Sequence, residues 1–180
     1  MRILREQSAG LVIDIQEKLF PFISGNDALT SSSVILVKGL QALKIPIITT
    51  VQYTKGLGPT IRPLRELLPD EETIEKLSFS CCDDPVFMKK LESIQKRFII
   101  ISGIESHVCV LQTVTDLLEK GYVPVVAEDC VSSRKLNDKN MAIARMRRQG
   151  AIITTYESVL FELLRYSGTE EFKAISRLVK

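Results

Sequence analysis

The chain has 180 residues, of which 45% are hydrophobic, and a formal net charge of +2. This length suits one domain with a sizeable core, predicted to span residues 1–180. The near balance of charge argues against nucleic acid or an anionic membrane as an obligatory partner, and no apolar run is long enough to cross a bilayer. We expect no signal peptide. The four cysteines show neither metal-ligand spacing nor a disulfide framework, which predicts a reduced, cytoplasmic protein.

Short apolar runs alternate with amphipathic stretches along the chain. Near-continuous apolar runs are typical of parallel strands covered on both faces, and they predict strands at 9–13, 45–51, 98–101, 122–127 and 151–155. Helical patterns are predicted at 32–43, 85–93, 107–120 and 138–149, with a C-terminal pair beginning at Glu157 and Glu170. The alternation predicts a doubly wound, three-layer α/β/α fold with a mostly parallel sheet. The exception is the connection 52–84, rich in Gly, Pro and charge, where a short strand is predicted near 73–76.

Cys109 is the first candidate nucleophile. A predicted strand runs through Gly103 into a helix that begins near His107, so Cys109 falls in the first helical turn. Open α/β sheets hold ligands at the carboxyl ends of their strands, and a helix N-terminus favours a thiolate over a thiol. We therefore expect a depressed pKa for Cys109. An inert core cysteine is the alternative interpretation.

Two charged residues complete the candidate chemistry. Asp14 directly follows the first predicted strand, and the alternative interpretation is that it caps the next helix. Lys76, taken by itself, has the pattern of an ordinary surface lysine. His107 is the single histidine, and it lies two positions from Cys109, so on a helix the two side chains would not face each other. A metal site with two histidines is excluded within one chain, and no glycine-rich nucleotide loop follows a strand. If Cys109 acts, its base must be a carboxylate such as Asp14.

Several segments together resemble the isochorismatase-like cysteine hydrolases. The similarity runs from about residue 9 to 162, and the loop 52–60 is most similar to the isochorismatase-domain-containing branch of that family. Each segment is short, and the specificity lies in their combination and order. The segments are 12–16, 75–80, 103–109, 116–121 and 128–134.

The resemblance implies a six-stranded sheet of order 3-2-1-4-5-6 at whose switch point Asp14, Lys76 and Cys109 meet. It implies that Asp14 takes the thiol proton, that Lys76 supports the charges, and that Cys109 attacks a small amide-like substrate to form a thioester. It also implies a cis peptide bond at Ile104–Glu105 and an oxyanion hole formed by the backbone amides of Glu105 and Cys109. No cofactor is expected, and the resemblance further implies a homo-oligomer.

The chain departs from parts of the family pattern. Metal-binding members carry an Asp-x-His motif after the second strand, whereas this chain has 51–53 (Val-Gln-Tyr) there, so we predict no metal and disfavour nicotinamide. The presence of Cys109 argues against isochorismate, because true isochorismatases lack this cysteine. The aromatic residue that the family places five positions after the aspartate is replaced by a leucine. The candidate pocket residues are Gln16, Leu19, Phe20, Gln52, Tyr53, Ile104 and His107.

Two other functions remain as alternatives. The first is an oligomeric scaffold or interaction module with a vestigial or slow site, since a fold does not fix a function. The intact set Asp14, Lys76 and Cys109 favours an enzyme over such a scaffold. The second, nucleic-acid binding or cleavage, depends only on a few arginines around 145–148, a pattern more typical of a solvated helix face.

Overall fold

The parallel sheet places the carboxyl ends of its central strands beside one another. The computed structural model of the protein describes residues 1–69 and 72–180, and within these the sheet has six strands in the order β3-β2-β1-β4-β5-β6, all parallel. This order confirms the predicted topology. The strands are β1 (Ser8–Ile13), β2 (Ile47–Gln52), β3 (Ile74–Lys76), β4 (Phe98–Ile104), β5 (Val123–Ser132) and β6 (Ile152–Thr154).

Helices cover both faces of the sheet. Among the described residues, no helix is both long and apolar enough to cross a membrane. A single π-helical turn, Ser106–Val110, links β4 to the helix that follows it. The helices are α1 (Asn26–Ala42), α2 (Thr54–Leu57), α3 (Arg62–Arg65), α4 (Pro85–Ile94), α5 (Leu111–Glu119), α6 (Leu136–Gln149), α7 (Tyr156–Leu164) and α8 (Glu170–Leu178).

The alternation of strand side chains divides the core into two layers. On one face, Leu11 of β1 and Ile99 of β4 pack with buried residues of α4, α5 and α6. On the other face, Phe98 and Ile100 pack with buried residues of α1, α7 and α8. Since successive side chains of a strand point to opposite faces, the continuous apolar runs supply both layers. This is the predicted three-layer α/β/α arrangement.

The functional edge of the sheet depends on a close approach of two strands. Gly103 of β4 pairs with Ile13 of β1, immediately before Asp14. A Cβ atom at Gly103 would lie 2.6 Å from both the Cβ and the carbonyl oxygen of Ile13, and the φ angle of Gly103 is +156°. The missing side chain therefore lets β4 end directly beside the start of the Asp14 loop.

Candidate active site

A buried ion pair joins the ends of β1 and β3. Lys76 Nζ lies 2.6 Å from Asp14 Oδ2, and the two side chains are 0% and 3% exposed. Lys76 Nζ also donates to the carbonyl oxygens of Ser78 and Phe79 at 3.0 and 3.2 Å, and Thr50 Oγ1 donates to Asp14 Oδ1 at 2.8 Å. Removing two charges from water is tolerated only when they are paired and hydrogen-bonded, as they are here.

Lys76 retains its charge despite its burial. Burial alone would lower the pKa of Lys76, but the negative charge of Asp14, followed by the neighbouring thiols of Cys109 and Cys81 when ionised, outweighs burial and raises it. The ammonium therefore stays protonated and holds a permanent positive charge behind the Asp14 carboxylate.

Cys109 lies in the π-helical turn that follows β4. Its side chain is buried, and Sγ donates to Gln52 Oε1 at 3.3 Å. Burial, followed by the negative charge of Asp14, raises the pKa of Cys109 well above its usual range, and the positive charge of Lys76 only partly opposes this. The expectation of a depressed pKa was wrong, because a strand-to-helix position in sequence does not reveal the desolvation or the adjacent carboxylate. The resting group is a thiol.

Gln52 links the lysine to the cysteine. Its Oε1 accepts from Lys76 Nζ at 3.2 Å as well as from the Cys109 thiol, and its Nε2 donates to the carbonyl oxygen of Leu77 at 3.1 Å. Both ends of this amide are therefore used within the protein. The sequence predicted Gln52 only as a pocket wall; its position as the last residue of β2, next to β1 in the sheet, was the available signal for this contact.

A cavity of about 250 Å³ opens beside the Cys109 thiol. Four predicted pocket residues line it: Leu19, Gln52, Tyr53 and Ile104. The polar part of its wall also includes Asp14, Glu105 and Cys109. Three apolar lining residues were not predicted from the sequence: two lie in the irregular connection, which has no periodic pattern, and the third adjoins the nucleophile. These are Leu57, Phe79 and Val108.

Three predicted pocket residues are not among the described residues that line the cavity. Gln16 is fully buried and braces the β2 loop, with Nε2 donating to the carbonyl oxygen of Gly58 at 2.6 Å. Phe20 packs against a separate apolar cluster that includes Ile15 and Leu29. His107 turns toward the end of β5, where Nδ1 lies 2.9 Å from Ser133 Oγ. Each of these three side chains therefore contacts another part of the protein instead of the cavity.

Glu105 joins the cavity to the loop after β5. The peptide bond between Ile104 and Glu105 is cis. Glu105 Oε1 accepts from the Nε and the backbone N–H of Arg134 at 2.8 and 3.1 Å. Burial alone would raise the pKa of Glu105, but these hydrogen bonds and the charge of Arg134 outweigh it and lower the pKa. The oxyanion role of the Glu105 and Cys109 amides stays a prediction.

The other cysteines do not share the cavity. Cys81, Cys82 and Cys130 are buried and free, and the pKa values of the first two are raised by burial, to about 11 and about 12 respectively. Across residues 1–69 and 72–180, no group of three or more His, Cys, Asp or Glu side chains is placed to hold a metal ion. Cys109 is the cysteine that a molecule in the cavity would meet.

Comparisons with known proteins agree with this architecture. Residues 8–158 match the isochorismatase domain family. The chain is 40% identical to isochorismatase family protein 1B of Dictyostelium discoideum, covering 99% of this chain and 89% of that protein. It is 35% identical to the secreted isochorismatase effector Isc1 of Phytophthora sojae, covering 99% and 87% of the two chains.

Solved structures show the same fold. A structure described as MAR1 ribonuclease from Caenorhabditis elegans is 39% identical, with a TM-score of 0.93 over 99% of this chain and 92% of that one. YcaC from Pseudomonas aeruginosa, solved with hexane-2,5-diol and covalent acrylamide, is 27% identical, with a TM-score of 0.91 over 97% and 89% of the two chains. The family match and the sequence identity together show that this chain belongs to the isochorismatase family and is an isochorismatase-like hydrolase.

Proposed function

We propose that this protein is a cysteine hydrolase that cleaves a small amide-like C–N bond through a thioester at Cys109. The observation that carries the proposal is the buried Asp14–Lys76 pair at 2.6 Å beside a cavity that Cys109 lines. A carboxylate, an ammonium and a thiol at one strand edge supply a base, a fixed counter-charge and a nucleophile.

The raised pKa of Cys109 determines how the first step proceeds. Asp14 takes the thiol proton as Sγ bonds to the substrate carbonyl carbon, so that a free thiolate never accumulates. The carbonyl oxygen becomes an oxyanion, which the backbone amides of Glu105 and Cys109 stabilise. The C–N bond then breaks, and the leaving nitrogen takes the proton from Asp14.

The second step releases the acid. Asp14, now a carboxylate again, removes a proton from a water molecule, which attacks the thioester carbonyl. The C–S bond breaks, and the thiol recovers its proton from Asp14. Lys76 stays charged throughout and stabilises the negative charge of the site as a proton moves between Asp14, Cys109 and the reacting molecules.

One relative supports a reactive centre of this kind. The YcaC structure contains covalent acrylamide, an electrophile that carries a primary amide. A protein of the same fold therefore forms a covalent bond with a small amide-bearing electrophile. We infer the same reactivity for the Cys109 cavity.

The direct test is a Cys109→Ala variant assayed against a library of small amides. We expect turnover to fall by at least about 10⁴-fold, since removing a nucleophile leaves only the remaining binding and electrostatic contributions. The matched control is Cys82→Ala, the same change at a buried cysteine outside the cavity lining. Full activity in Cys109→Ala, with the control also active, would overturn the nucleophile assignment.

Ribonuclease activity is a second candidate, favoured by the description of the Caenorhabditis elegans structure. Against it, Asp14 and Glu105 line the cavity and, among its described lining residues, none carries a positive charge. Phosphate groups bind mainly to Lys and Arg. Incubation with single-stranded RNA distinguishes the two functions: cleavage that Cys109→Ala retains and that falls steeply with salt would favour the ribonuclease.

Two further properties are proposed with this function. We infer that copies of the chain associate, because exposed apolar side chains surround the cavity mouth. An oligomeric scaffold with a slow site would show the same association but no loss of turnover in Cys109→Ala. The cytoplasmic location stays a prediction, since one relative is named a secreted effector.

A further inference from the structure

The cavity beside Cys109 has an unusual balance of charge. Its polar wall includes two acidic residues, Asp14 and Glu105, and the described residues that line it include no lysine, arginine or histidine. The remaining wall is mostly apolar. The apolar members are Leu19, Tyr53, Leu57, Phe79, Ile104 and Val108.

The two cations that pair with these acidic residues are not available to a ligand. Lys76 is fully buried, and its Nζ is surrounded by four acceptors, which exceed the three protons it can donate. Arg134 is half-exposed on the outer side, where Nε and the backbone N–H donate to Glu105. An anion in the cavity would therefore meet the Asp14 carboxylate without reaching a counter-ion of its own.

The side chain of Gln52 is also largely committed. Its amide oxygen accepts from Lys76 and Cys109, and its amide nitrogen donates to the carbonyl oxygen of Leu77. Apart from the proposed oxyanion site, a ligand therefore gains most of its binding from apolar contact. The volume of about 250 Å³ suits a small ligand with a short chain.

We propose that the substrate class is a small, uncharged amide with a short apolar group, and that amides bearing a carboxylate are rejected. This inference rests on the proposed hydrolase function and narrows it. The wall selects against anions because an anion would lose its hydration there without gaining a counter-ion, which is specificity through a penalty on the wrong ligand.

A pair of alkylating reagents tests the proposal without any need for turnover. Iodoacetamide and iodoacetate carry the same leaving group and differ by the charge that the proposal concerns. Alkylation of Cys109 by each reagent is followed at pH 9 by peptide mass spectrometry, and the rate ratio is divided by the ratio for the same cysteine in urea-unfolded protein. We expect a normalised preference for iodoacetamide of about tenfold or more, which corresponds to roughly 1.4 kcal/mol.

A substitution in the cavity wall should weaken the preference. Leu57→Arg places a cation in the lining and should lower the normalised preference at least about threefold, while Leu57→Met, of similar size and uncharged, should leave it unchanged. A folded protein is established for each variant by its thermal unfolding curve. A wild-type preference within about twofold of the unfolded reference would overturn the proposal.

A competition experiment gives an answer even where a variant fails to fold. 4-Methylpentanamide and succinamate have nearly the same shape, with an isopropyl group in the first where the second has a carboxylate. The first should protect Cys109 of the wild-type protein from iodoacetamide, and the second should not. Equal protection by both would overturn the substrate class and leave the hydrolase intact, whereas full turnover in Cys109→Ala would remove the hydrolase itself.

Discussion

At the scale of single residues, Asp14 acts on the neighbouring thiol in two ways. Its negative charge, together with burial, raises the pKa of Cys109 and keeps the group protonated at neutral pH. In the proposed reaction, the same carboxylate then receives the proton. Charge and proton transfer therefore push the reactivity of Cys109 in opposite directions, and one substitution separates them.

Asp14→Asn should lower the pKa of Cys109 and yet abolish hydrolysis. Removal of a negative charge stabilises the thiolate, so the pH profile of Cys109 alkylation should move to lower pH. Loss of the base should reduce turnover by about 10²–10⁴-fold. The two measurements are alkylation from pH 6 to 11 and hydrolysis of the best amide substrate.

The matched control is Asp83→Asn, the same change at an exposed carboxylate. It should alter neither measurement. A shift of the alkylation profile of Asp14→Asn to higher pH would contradict the electrostatic argument, and retained turnover would contradict the assignment of the base.

Lys76→Met should destabilise the protein strongly. It leaves the Asp14 carboxylate buried without its partner, and breaking a buried pair from one side costs about 3–5 kcal/mol in the free energy of unfolding. Urea denaturation measures this cost. The double variant Asp14→Asn with Lys76→Met removes both charges and should lose much less than the sum of the two single changes. A loss below about 1 kcal/mol in Lys76→Met would show that water reaches the pair.

The residues of this site differ in how far sequence reasoning could reach them. Asp14 directly follows an apolar strand, and Cys109 lies in the first turn after another, so the rule that ligands lie at the carboxyl ends of strands was sufficient to single them out. Lys76 stands at the end of a three-residue strand with no periodic pattern, and only the family resemblance identified it. The direction of the Cys109 pKa could not be predicted, because desolvation depends on packing.

At the scale of elements, the junction of β1 and β4 positions the site. Gly103 lies against Ile13, so the spacing of the two strands is set by the absence of a side chain. The π-helical turn then begins two residues after the end of β4 and carries Cys109 over the same edge. A change in strand spacing would therefore reach both Asp14 and Cys109.

Gly103→Ala should cost about 1–3 kcal/mol in the free energy of unfolding, because its Cβ would overlap the backbone of β1. The control is Gly121→Ala, a glycine with a φ angle of +83° and nothing within 4 Å of a Cβ, which tests backbone conformation alone. Chemical denaturation of both variants measures the difference. Equal losses would show that overlap with Ile13 contributes nothing.

Element boundaries show where local patterns stop being informative. The predicted helix at 32–43 begins earlier, at Asn26, because its first turns expose polar side chains and so lack an apolar period. The predicted strand at 122–127 extends to Ser132, since β5 continues alongside β4 after a shift in register. The helices α2 and α3 have four residues each, too few to show a period.

At the scale of the whole molecule, alternation of elements was enough to predict a parallel sheet with helices on both faces. The strand order came from the family resemblance, because local patterns do not specify which strands are neighbours. The shape of the cavity mouth could be predicted neither from local patterns nor from the resemblance, since it is formed by loops in the connection between β2 and α4. That mouth also carries exposed apolar side chains, which leads to the last prediction.

We expect the protein to form a homo-oligomer that covers the cavity mouth. Tyr53, Leu77 and Phe79 are 50%, 76% and 54% exposed, and the first and third of these line the cavity. Grouped apolar exposure of this kind is typical of an interaction surface. Light scattering coupled to gel filtration should therefore give a multiple of the 20.2 kDa chain mass.

Leu77→Glu should shift that mass toward the single chain, because a carboxylate would lose its hydration in the interface. Tyr166→Glu is the control, an equally drastic change at a 70% exposed residue between α7 and α8. A wild-type protein that runs as a single chain, or equal dissociation by both variants, would contradict the location. Because the interface would narrow the mouth, dissociation by Leu77→Glu should also speed alkylation of Cys109. Assembly and reactivity are therefore expected to change together.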